Sequence, residues 1–294
     1  MRPITRWQLL AAAVLAVLSI AFVRAQSPAG AQSAPTRKKL LFLTYAGYYK
    51  HTSLGPAEKA VTELGQKGGF DVTTLEGYKQ AADKLDLSFL SAEYLAQFDG
   101  LMLMTNGNLP LTDSQKRALL DFVRNGKGLI GAHCAALTLY NYPEFGEMLG
   151  GYFRRAVKQN KVFVLKVEDQ NHPATRMLGP SWPIVDELYQ YGAAPWDASH
   201  PKDNVDVLFG NHIPVGFSRD RVHVLLSIDT ARTDLSDLAE VKPDGDYPQA
   251  WWRNYGQGRV FYTSLGHRDD IWSNDPVFRA HITGGIRWAL GLEN

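Results

Sequence analysis

Polar and titratable side chains follow four apolar segments of this sequence, close to where each segment ends. Lys50 and His51 follow the segment Lys39–Tyr45, and Asn106 follows Asp99–Thr105. The segment Gly128–His133 ends in His133 and is followed by Cys134, and His267 follows Arg259–Ser264. Continuous apolar runs of this length are typical of strands buried in a parallel sheet. In an open parallel α/β sheet, ligands bind beyond the carboxyl ends of the strands. We therefore expect these side chains to converge on one site.

Histidines at such positions suit acid–base chemistry. An imidazole gains or loses a proton near neutral pH, and it also binds divalent metal ions. We predict His133 as the central group of the site, with His51 and His267 beside it. A single histidine is more often a structural residue, whereas three at equivalent strand ends favour a functional site.

Two adjacent carboxylates, Asp186 and Glu187, can complement the histidines. Successive side chains of an extended segment point to opposite faces, so only one of the two carboxylates can face the site. The other is expected to brace a neighbouring loop. The inward carboxylate would act as a general acid or base. The predicted catalytic set is His133, Glu187, His267 and His51.

A divalent metal ion is an alternative use of the same side chains. Imidazole nitrogens and carboxylate oxygens are common zinc ligands, and the candidate ligands here are His51, His133, Glu187 and His267. The sequence contains no His-Glu-x-x-His motif, so this alternative depends on the predicted convergence alone. No other cofactor is predicted.

Polar and aromatic side chains near these strand ends suit a sugar, because aromatic rings stack on sugar faces while polar groups bond the hydroxyls. The predicted substrate-binding residues are Asn106, Asp186, Tyr189, Lys50 and Trp251. The alternative is that the aromatic residues fill the core and rim of the domain. His172 would either join the site or order its own turn, whereas His281 is expected in the core.

Cys134 has the small neighbours, Ala132 and Ala136, that a nucleophile elbow requires. His133 is flanked by small residues in the same way, so sterics do not choose between the two. No His-x-Glu pair that could serve the thiol follows in the sequence. We therefore expect Cys134 to be a small buried thiol beneath the site.

Strand and helix signals alternate along the first hundred residues of the folded region. An apolar helical face formed by Ala57, Ala60, Val61 and Leu64 stops at Gly65, and Thr112-x-x-Gln115 is a capping box that opens another helix. Further strands are predicted at Phe70–Leu75, Lys161–Val167, Val205–Phe209 and Val222–Ile228, and a last helix begins at Asp275-Pro276. This alternation predicts a three-layer, doubly wound α/β fold with a mostly parallel sheet.

Domain organisation is predicted to be simple. No internal repeat or interdomain linker is visible, so residues 38–294 are expected to form one domain. The part from Asn171 to Gln257, which holds most of the Pro and Trp, is predicted to be loop-rich and to cover the strand ends.

The charge balance excludes several classes of partner. The 294 residues include 31 basic and 30 acidic side chains, which give a net charge of +1 and no electrostatic footprint for nucleic acid or an anionic membrane. With a single cysteine, the chain can form neither an internal disulfide nor a cysteine-rich zinc site. The oligomeric state stays open.

The N-terminus is predicted to be a targeting segment. Arg2 and Arg6 precede an apolar stretch from Leu9 to Val23, and Ala25 ends a plausible cleavage sequence. We expect a signal peptide at residues 1–25, a flexible leader at 26–37, and a periplasmic or secreted protein without a membrane segment once the signal is cleaved. An uncleaved anchor is the alternative.

The chain resembles the trehalose-utilisation (ThuA-like) family over residues 39–292. The shared segments are Gly47 to His51, Gly131 to Ala135, Met148 to Phe153, His172-Pro173, Asp186 to Tyr189, and Gly258 to His267. The resemblance implies a flavodoxin-like fold of the class I glutamine amidotransferase type and a link to disaccharide or keto-sugar metabolism. Members often have a histidine where this chain has Arg154-Arg155-Ala156, and commonly a serine at the position of Cys134.

These observations lead to one main functional hypothesis and two alternatives. The main hypothesis is an extracytoplasmic enzyme that acts on a disaccharide or keto-sugar by acid–base chemistry, through isomerisation, elimination or hydrolysis. The alternatives are a non-catalytic carbohydrate-binding module and a metal-dependent sugar enzyme. In each case the expected partner is a small-molecule carbohydrate.

Overall fold

Apolar segments that the sequence marks as buried strands form the centre of the domain. In the computed structural model Leu40, Leu41, Phe42 and Leu43 are at most 1% exposed, because helices cover both faces of their strand. The structure describes residues 36–191, 206–208, 211–213, 216–238, 242 and 244–294. Residues Arg37–Asn294 form one compact unit. The predicted signal peptide and nearly all of the predicted leader lie outside the described residues.

The described part of the chain contains twelve strands and six α-helices. The strands are β1 (Lys38–Ala46), β2 (Phe70–Glu76), β3 (Gly100–Gly107), β4 (Gly128–Ala132), β5 (Leu137–Thr138), β6 (Phe153–Val167), β7 (Ser181–Tyr191), β8 (Asp206–Leu208), β9 (Asn211–Ile213), β10 (His223–Ile228), β11 (Pro248–Tyr255) and β12 (Gly258–Thr263). The helices are α1 (Leu54–Gly68), α2 (Ala92–Leu95), α3 (Asp113–Arg124), α4 (Pro143–Leu149), α5 (Asp269–Asn274) and α6 (Pro276–Ala289).

Ten of these strands form a single sheet in two halves. Its order is β2-β1-β3-β4-β12-β11-β10-β6-β7, with β5 paired to β3. The half from β2 to β12 is parallel, and the half from β12 to β7 is antiparallel. Helices α1, α5 and α6 pack together as one layer, and α2, α3 and α4 as another. The predicted three-layer, doubly wound α/β fold is confirmed.

Local sequence signals explain where the helices begin and end. Thr112 and Gln115 form the predicted capping box at the start of α3. Asp275 caps α6 through two backbone N–H groups. The end of α1 was predicted at Gly65, but the helix continues to Gly68 and stops at Gly69, which has a left-handed φ of 83°.

The prediction for residues 171–257 is wrong in one respect. This part of the chain supplies β7, β10 and β11, which extend the sheet with antiparallel strands. The strand predicted at Lys161–Val167 begins earlier, at Phe153, and pairs with β7 along its length. The strand predicted at Val205–Phe209 is represented by β8, and its two end residues lie outside the described residues.

The long β6–β7 hairpin returns over the sheet near the ends of β11 and β12. Tyr191 at the end of β7 donates a hydrogen bond to Tyr262 on β12, and its ring packs edge-on against Trp251 on β11. The carboxyl-terminal part of β7 therefore lies beside the strand ends that carry the predicted site. None of the helices in the described ranges is both long and apolar enough to cross a membrane.

Glu58 on α1 gives a prediction about stability. The residue is 5% exposed, and its carboxylate accepts a 2.5 Å hydrogen bond from the Thr44 hydroxyl on β1. Burial raises the pKa of Glu58 from 4.5 to about 7, against the opposing effect of the Thr44 bond. Because the folded pKa exceeds the unfolded one, the contribution of Glu58 to stability is complete below pH 4.5 and is lost as pH rises through 7.

We expect Glu58→Gln to stabilise the protein at pH 8 by about 1–3 kcal/mol and to leave it nearly unchanged at pH 4.5. Urea denaturation at the two pH values measures this difference. Glu63→Gln, at an exposed position of the same helix, is the matched control. Equal effects of Glu58→Gln at both pH values would contradict the prediction.

Candidate functional site

His133 stands at the point where β4 ends and the chain turns sharply. The strand stops at Ala132, and His133 opens a short 3₁₀ turn with a φ of 46°, a conformation that a non-glycine residue rarely adopts. Such backbone strain is concentrated at functional sites because the surrounding structure must hold it in place. The turn carries the fully buried imidazole beyond the carboxyl edge of the sheet.

One hydrogen bond determines which nitrogen of His133 carries the proton. Nδ1 lies 2.7 Å from the carbonyl oxygen of Ser264, which can only accept, so Nδ1 is the donor. Burial lowers the pKa of His133 well below its ordinary value, and the ring is therefore neutral near pH 7. In this tautomer the lone pair of the ring lies on Nε2.

The Nε2 lone pair of His133 faces three polar groups. The hydroxyl of Tyr189 lies 3.0 Å away, Nδ1 of His267 3.2 Å away, and a carboxylate oxygen of Glu187 3.5 Å away. The same Glu187 oxygen is 3.1 Å from Nδ1 of His267. The structure thus brings together three of the four predicted catalytic residues.

His51, the fourth, packs edge-on against the other two imidazoles. Its ring centroid lies 4.7 Å from that of His133 and 5.2 Å from that of His267. Burial, and to a smaller extent the neighbouring His267, lower the pKa of His51 to about 3. Its Nδ1 is buried and has no hydrogen-bond partner among the described residues, which leaves a nitrogen free for a ligand.

These four side chains have the geometry of a metal centre. His51, His133, Glu187 and His267 each offer one ligand atom, and the four atoms lie within 4.8 Å of one another. Imidazole nitrogens together with a carboxylate suit a transition-metal ion such as Zn²⁺. The bond from His133 to the Ser264 carbonyl is the support that metal-binding histidines ordinarily receive, because it orients the ring and fixes its tautomer. The residues therefore fit a bound divalent ion.

Two of the predicted substrate-binding residues instead hold the loops that carry the histidines. The Asn106 side chain accepts hydrogen bonds from the N–H groups of Tyr48 and Tyr49 and donates one to the Tyr49 carbonyl. The Asp186 carboxylate accepts bonds from the N–H groups of Gly266 and Arg268. Both side chains are completely buried, so their prediction as substrate ligands is corrected to a bracing role.

The two adjacent carboxylates lie on opposite faces of β7, as expected for an extended segment, and therefore have different roles. Glu187 and Tyr189 share the face of β7 that meets His133, whereas Asp186 points to the other face and holds the loop around His267. Burial raises the pKa of Asp186 to about 7, although hydrogen bonds from backbone amides oppose the shift.

Trp251 and Lys50 do not have the predicted surroundings. Trp251 is fully buried, and its indole N–H donates to the carbonyl of Leu149, so it is a core residue and offers no ring face to a sugar. Lys50 is exposed, and its ammonium lies 5.7 Å from the ring centre of Tyr78 rather than at the histidines. The aromatic side chains largely fill the core, as the alternative interpretation stated.

The remaining histidines of the prediction have structural roles. His281 is fully buried, with one ring nitrogen bonded to the carbonyl of Ala174 and the other to Thr263, which confirms its place in the core. His172 accepts a hydrogen bond from the N–H of Ala174 and orders its own turn. It packs against aromatic rings away from the four-residue centre.

The site opens to solvent beside Glu187, His267 and Tyr49. Glu187 and His267 are 14% and 11% exposed at their side chains, and Tyr49, which packs against His51, is 55% exposed. Gly266, next to His267, has a φ of 128°, and a Cβ atom there would lie 3.3 Å from the Cβ of His133. The loop can pass this close to His133 because position 266 has no side chain.

Sequence reasoning missed Gln249, a buried residue at the start of β11. Its side chain bonds to the backbone of Tyr189 and to the hydroxyl of Ser264. Gln249 belongs to no sequence motif. The only related prediction was the strand that ends at Ser264, the residue whose hydroxyl bonds Gln249. Its importance follows from contacts between residues that are distant in sequence.

The sheet order and the site beyond its parallel strands define the class of this protein, which has the class I glutamine amidotransferase-like fold. The chain belongs to the ThuA family, described as trehalose utilisation, whose profile matches residues 39–289. This membership confirms the resemblance seen in the sequence and links the chain to carbohydrate metabolism.

Solved structures of two ThuA-like proteins are similar to this chain. The protein from Bacteroides uniformis has a TM-score of 0.63 at 22% identity, with 88% of this chain and 94% of the other covered. The protein from Parabacteroides merdae also has a TM-score of 0.63, at 18% identity, with 87% and 91% covered. At these identities the likeness shows the fold alone. No curated protein matches the sequence significantly.

Cys134 gives a prediction about reactivity. The thiol is fully buried, and burial raises its pKa to about 12 in spite of a hydrogen bond with Asn106. We expect iodoacetamide at pH 8 to leave native Cys134 unlabelled and to label it fully in urea, since only the thiolate reacts. Mass spectrometry measures the labelling, and rapid reaction of the folded protein would contradict the assignment of a structural thiol.

Proposed function

We propose that this protein is a metal-dependent enzyme that acts on the carbonyl group of an oxidised sugar, such as a keto-disaccharide. The observation that carries the proposal is the convergence of His51, His133, Glu187 and His267 with ligand atoms within 4.8 Å. Family membership supports the sugar class of the substrate. The signal peptide predicted from the sequence supports a periplasmic or secreted location.

In this proposal the three histidines hold the ion and Glu187 serves as the base. Catalytic metal sites commonly have three protein ligands and one position open to substrate, and a bound ion polarises a carbonyl oxygen. The Glu187 side chain is 14% exposed, compared with 11% for that of His267 and 0% for that of His133. It is therefore well placed to meet a substrate carbon at the opening.

The reaction favoured is enolisation of a hydroxy ketone. Glu187 would remove the proton from the carbon next to the carbonyl, and the electron pair would move into the carbonyl group as an enediol forms. Return of the proton to the former carbonyl carbon, with loss of the other hydroxyl proton, completes an isomerisation. In an elimination, the C–O bond on the carbon beyond the deprotonated one breaks instead, and the departing oxygen takes the bonding electron pair and a proton. The Tyr189 hydroxyl, which lies 3.0 Å from His133 Nε2, would donate a hydrogen bond to the substrate oxygen.

A cavity that shares Tyr189 with the site would accommodate a substrate larger than one reacting group. Tyr189 borders this cavity of about 390 Å³ together with Tyr191, Phe217, Arg219 and Tyr247. The aromatic side chains of this cavity are almost fully buried, whereas Arg219, Asp220 and Asp244 are exposed and can bond sugar hydroxyls. The second sugar of a disaccharide would lie here.

Metal binding is tested first. We expect purified protein equilibrated with Zn²⁺ to retain about one ion per chain after dialysis, by elemental analysis, in line with a single centre. His133→Ala and His267→Ala should lose the ion, whereas Glu187→Gln should retain it because three histidines remain. His223→Ala, at an exposed position on β10, is the control. Wild-type metal content in both histidine variants would refute the centre.

Turnover is tested with 3-keto-disaccharides in heavy water. We expect deuterium to enter the carbon next to the carbonyl, because enolisation exchanges that proton with solvent, and we expect a chelator to abolish the exchange. Glu187→Gln should reduce the rate at least 100-fold while it keeps its metal. Cys134→Ser should remain active. Saturable sugar binding without exchange or product would instead identify a non-catalytic carbohydrate-binding protein.

A further inference from the structure

Gln249 is buried at 1% exposure, and every polar atom of its side chain is bonded. Its side-chain oxygen accepts from the N–H of Tyr189 at 3.2 Å and from the Ser264 hydroxyl at 2.7 Å. Its NH₂ group donates to the carbonyl of Tyr189 at 2.9 Å and to that of Pro248 at 2.7 Å. In addition, its backbone carbonyl accepts from the N–H of Ser264 at 2.7 Å.

The two residues that Gln249 holds are those that bond the two ring nitrogens of His133. Ser264 accepts from Nδ1 through its carbonyl, and Tyr189 reaches Nε2 through its hydroxyl. A single side chain therefore connects one hydrogen-bond partner of each ring nitrogen of the central histidine, although it does not touch the imidazole itself.

Gln249 also makes hydrogen bonds to Tyr189 that strand pairing does not provide. In the sheet, β11 is separated from β7 by β10 and β6, so no ladder of backbone hydrogen bonds fixes Tyr189 against β11. The Gln249 amide bonds both the N–H and the carbonyl of Tyr189, as the peptide group of a neighbouring strand would. A buried amide with all its bonds made can hold only one arrangement, since a shift would leave polar groups unpaired.

We propose that Gln249 is a positioning residue that fixes the orientation and tautomer of His133 and thereby sets the affinity of the centre for its metal ion. The link to metal affinity rests on the proposed function, whereas the effect on His133 does not. Groups that support metal ligands without touching the ion typically change its affinity 10- to 100-fold when they are removed.

The first test observes His133 without any metal. In protein labelled with ¹⁵N-histidine, wild type should show a protected Nδ1–H signal for His133, identified by its absence from His133→Ala. We expect this signal to shift or broaden in Gln249→Met, which keeps the side-chain length and removes the amide. The Nδ1–H of His281, bonded to the Ala174 carbonyl, is the internal control and should not change.

A matched variant separates positioning from general stability. Gln115 on α3 is also a buried glutamine whose amide donates to a backbone carbonyl, that of Leu87 at 2.6 Å. Its side chain belongs to the cap of α3, and its hydrogen bonds go to Thr112, Leu87 and Ser88 rather than to residues of the centre. Gln115→Met should lower the melting temperature and leave the His133 signal unchanged. An unchanged signal in Gln249→Met, or no protected signal in wild type, would overturn the proposal.

The second test uses Co²⁺ as the probe, because its visible spectrum reports the ligand geometry. We expect Gln249→Met to raise the Kd for Co²⁺ at least 10-fold and to change the spectrum, with Gln115→Met as wild type. A changed His133 signal with no Co²⁺ binding even in wild type would refute the proposed metal centre and leave the positioning role standing. A changed signal with wild-type Co²⁺ affinity would refute the link to the metal.

Discussion

The parallel pairing of β4 with β12 is the constraint on which the site depends. This register places Ala132 opposite Thr263, so the residues that follow, His133 and Ser264, leave the sheet side by side. The hydrogen bond from His133 Nδ1 to the Ser264 carbonyl is a direct consequence. It leaves the Nε2 lone pair available at the edge of the sheet, where the other polar side chains meet it.

The antiparallel half of the sheet supplies the side chains of the centre that the parallel half does not. Parallel strands alone deliver His51, His133 and His267 to one edge, as expected for an open α/β sheet. The carboxylate and the phenol come from β7, which reaches the same place because its hairpin with β6 returns toward β12. The centre therefore forms only when both halves of the sheet are assembled.

Three buried amide or carboxyl side chains hold the polypeptide segments around the centre. Asn106 binds the loop before His51, Asp186 binds the loop around His267, and Gln249 binds β7 at Tyr189. Each side chain bonds mainly to backbone groups that no strand pairing satisfies. A buried backbone group without a partner costs on the order of 1–3 kcal/mol, so these contacts resist displacement of the loops. The segments that carry the site are consequently held in place by these three buried side chains.

The sequence by itself determined the strand–helix alternation of the first half of the fold, the three-layer class, and the three histidines of the centre. It could do so because buried strands are continuous apolar runs and because parallel strands share one carboxyl edge. It could not separate Glu187 from Asp186, dismiss Trp251 as a sugar platform, or single out Gln249. Those outcomes depend on how the β6–β7 hairpin folds back and on which face of β7 turns inward, and only tertiary contacts between residues distant in sequence decide them.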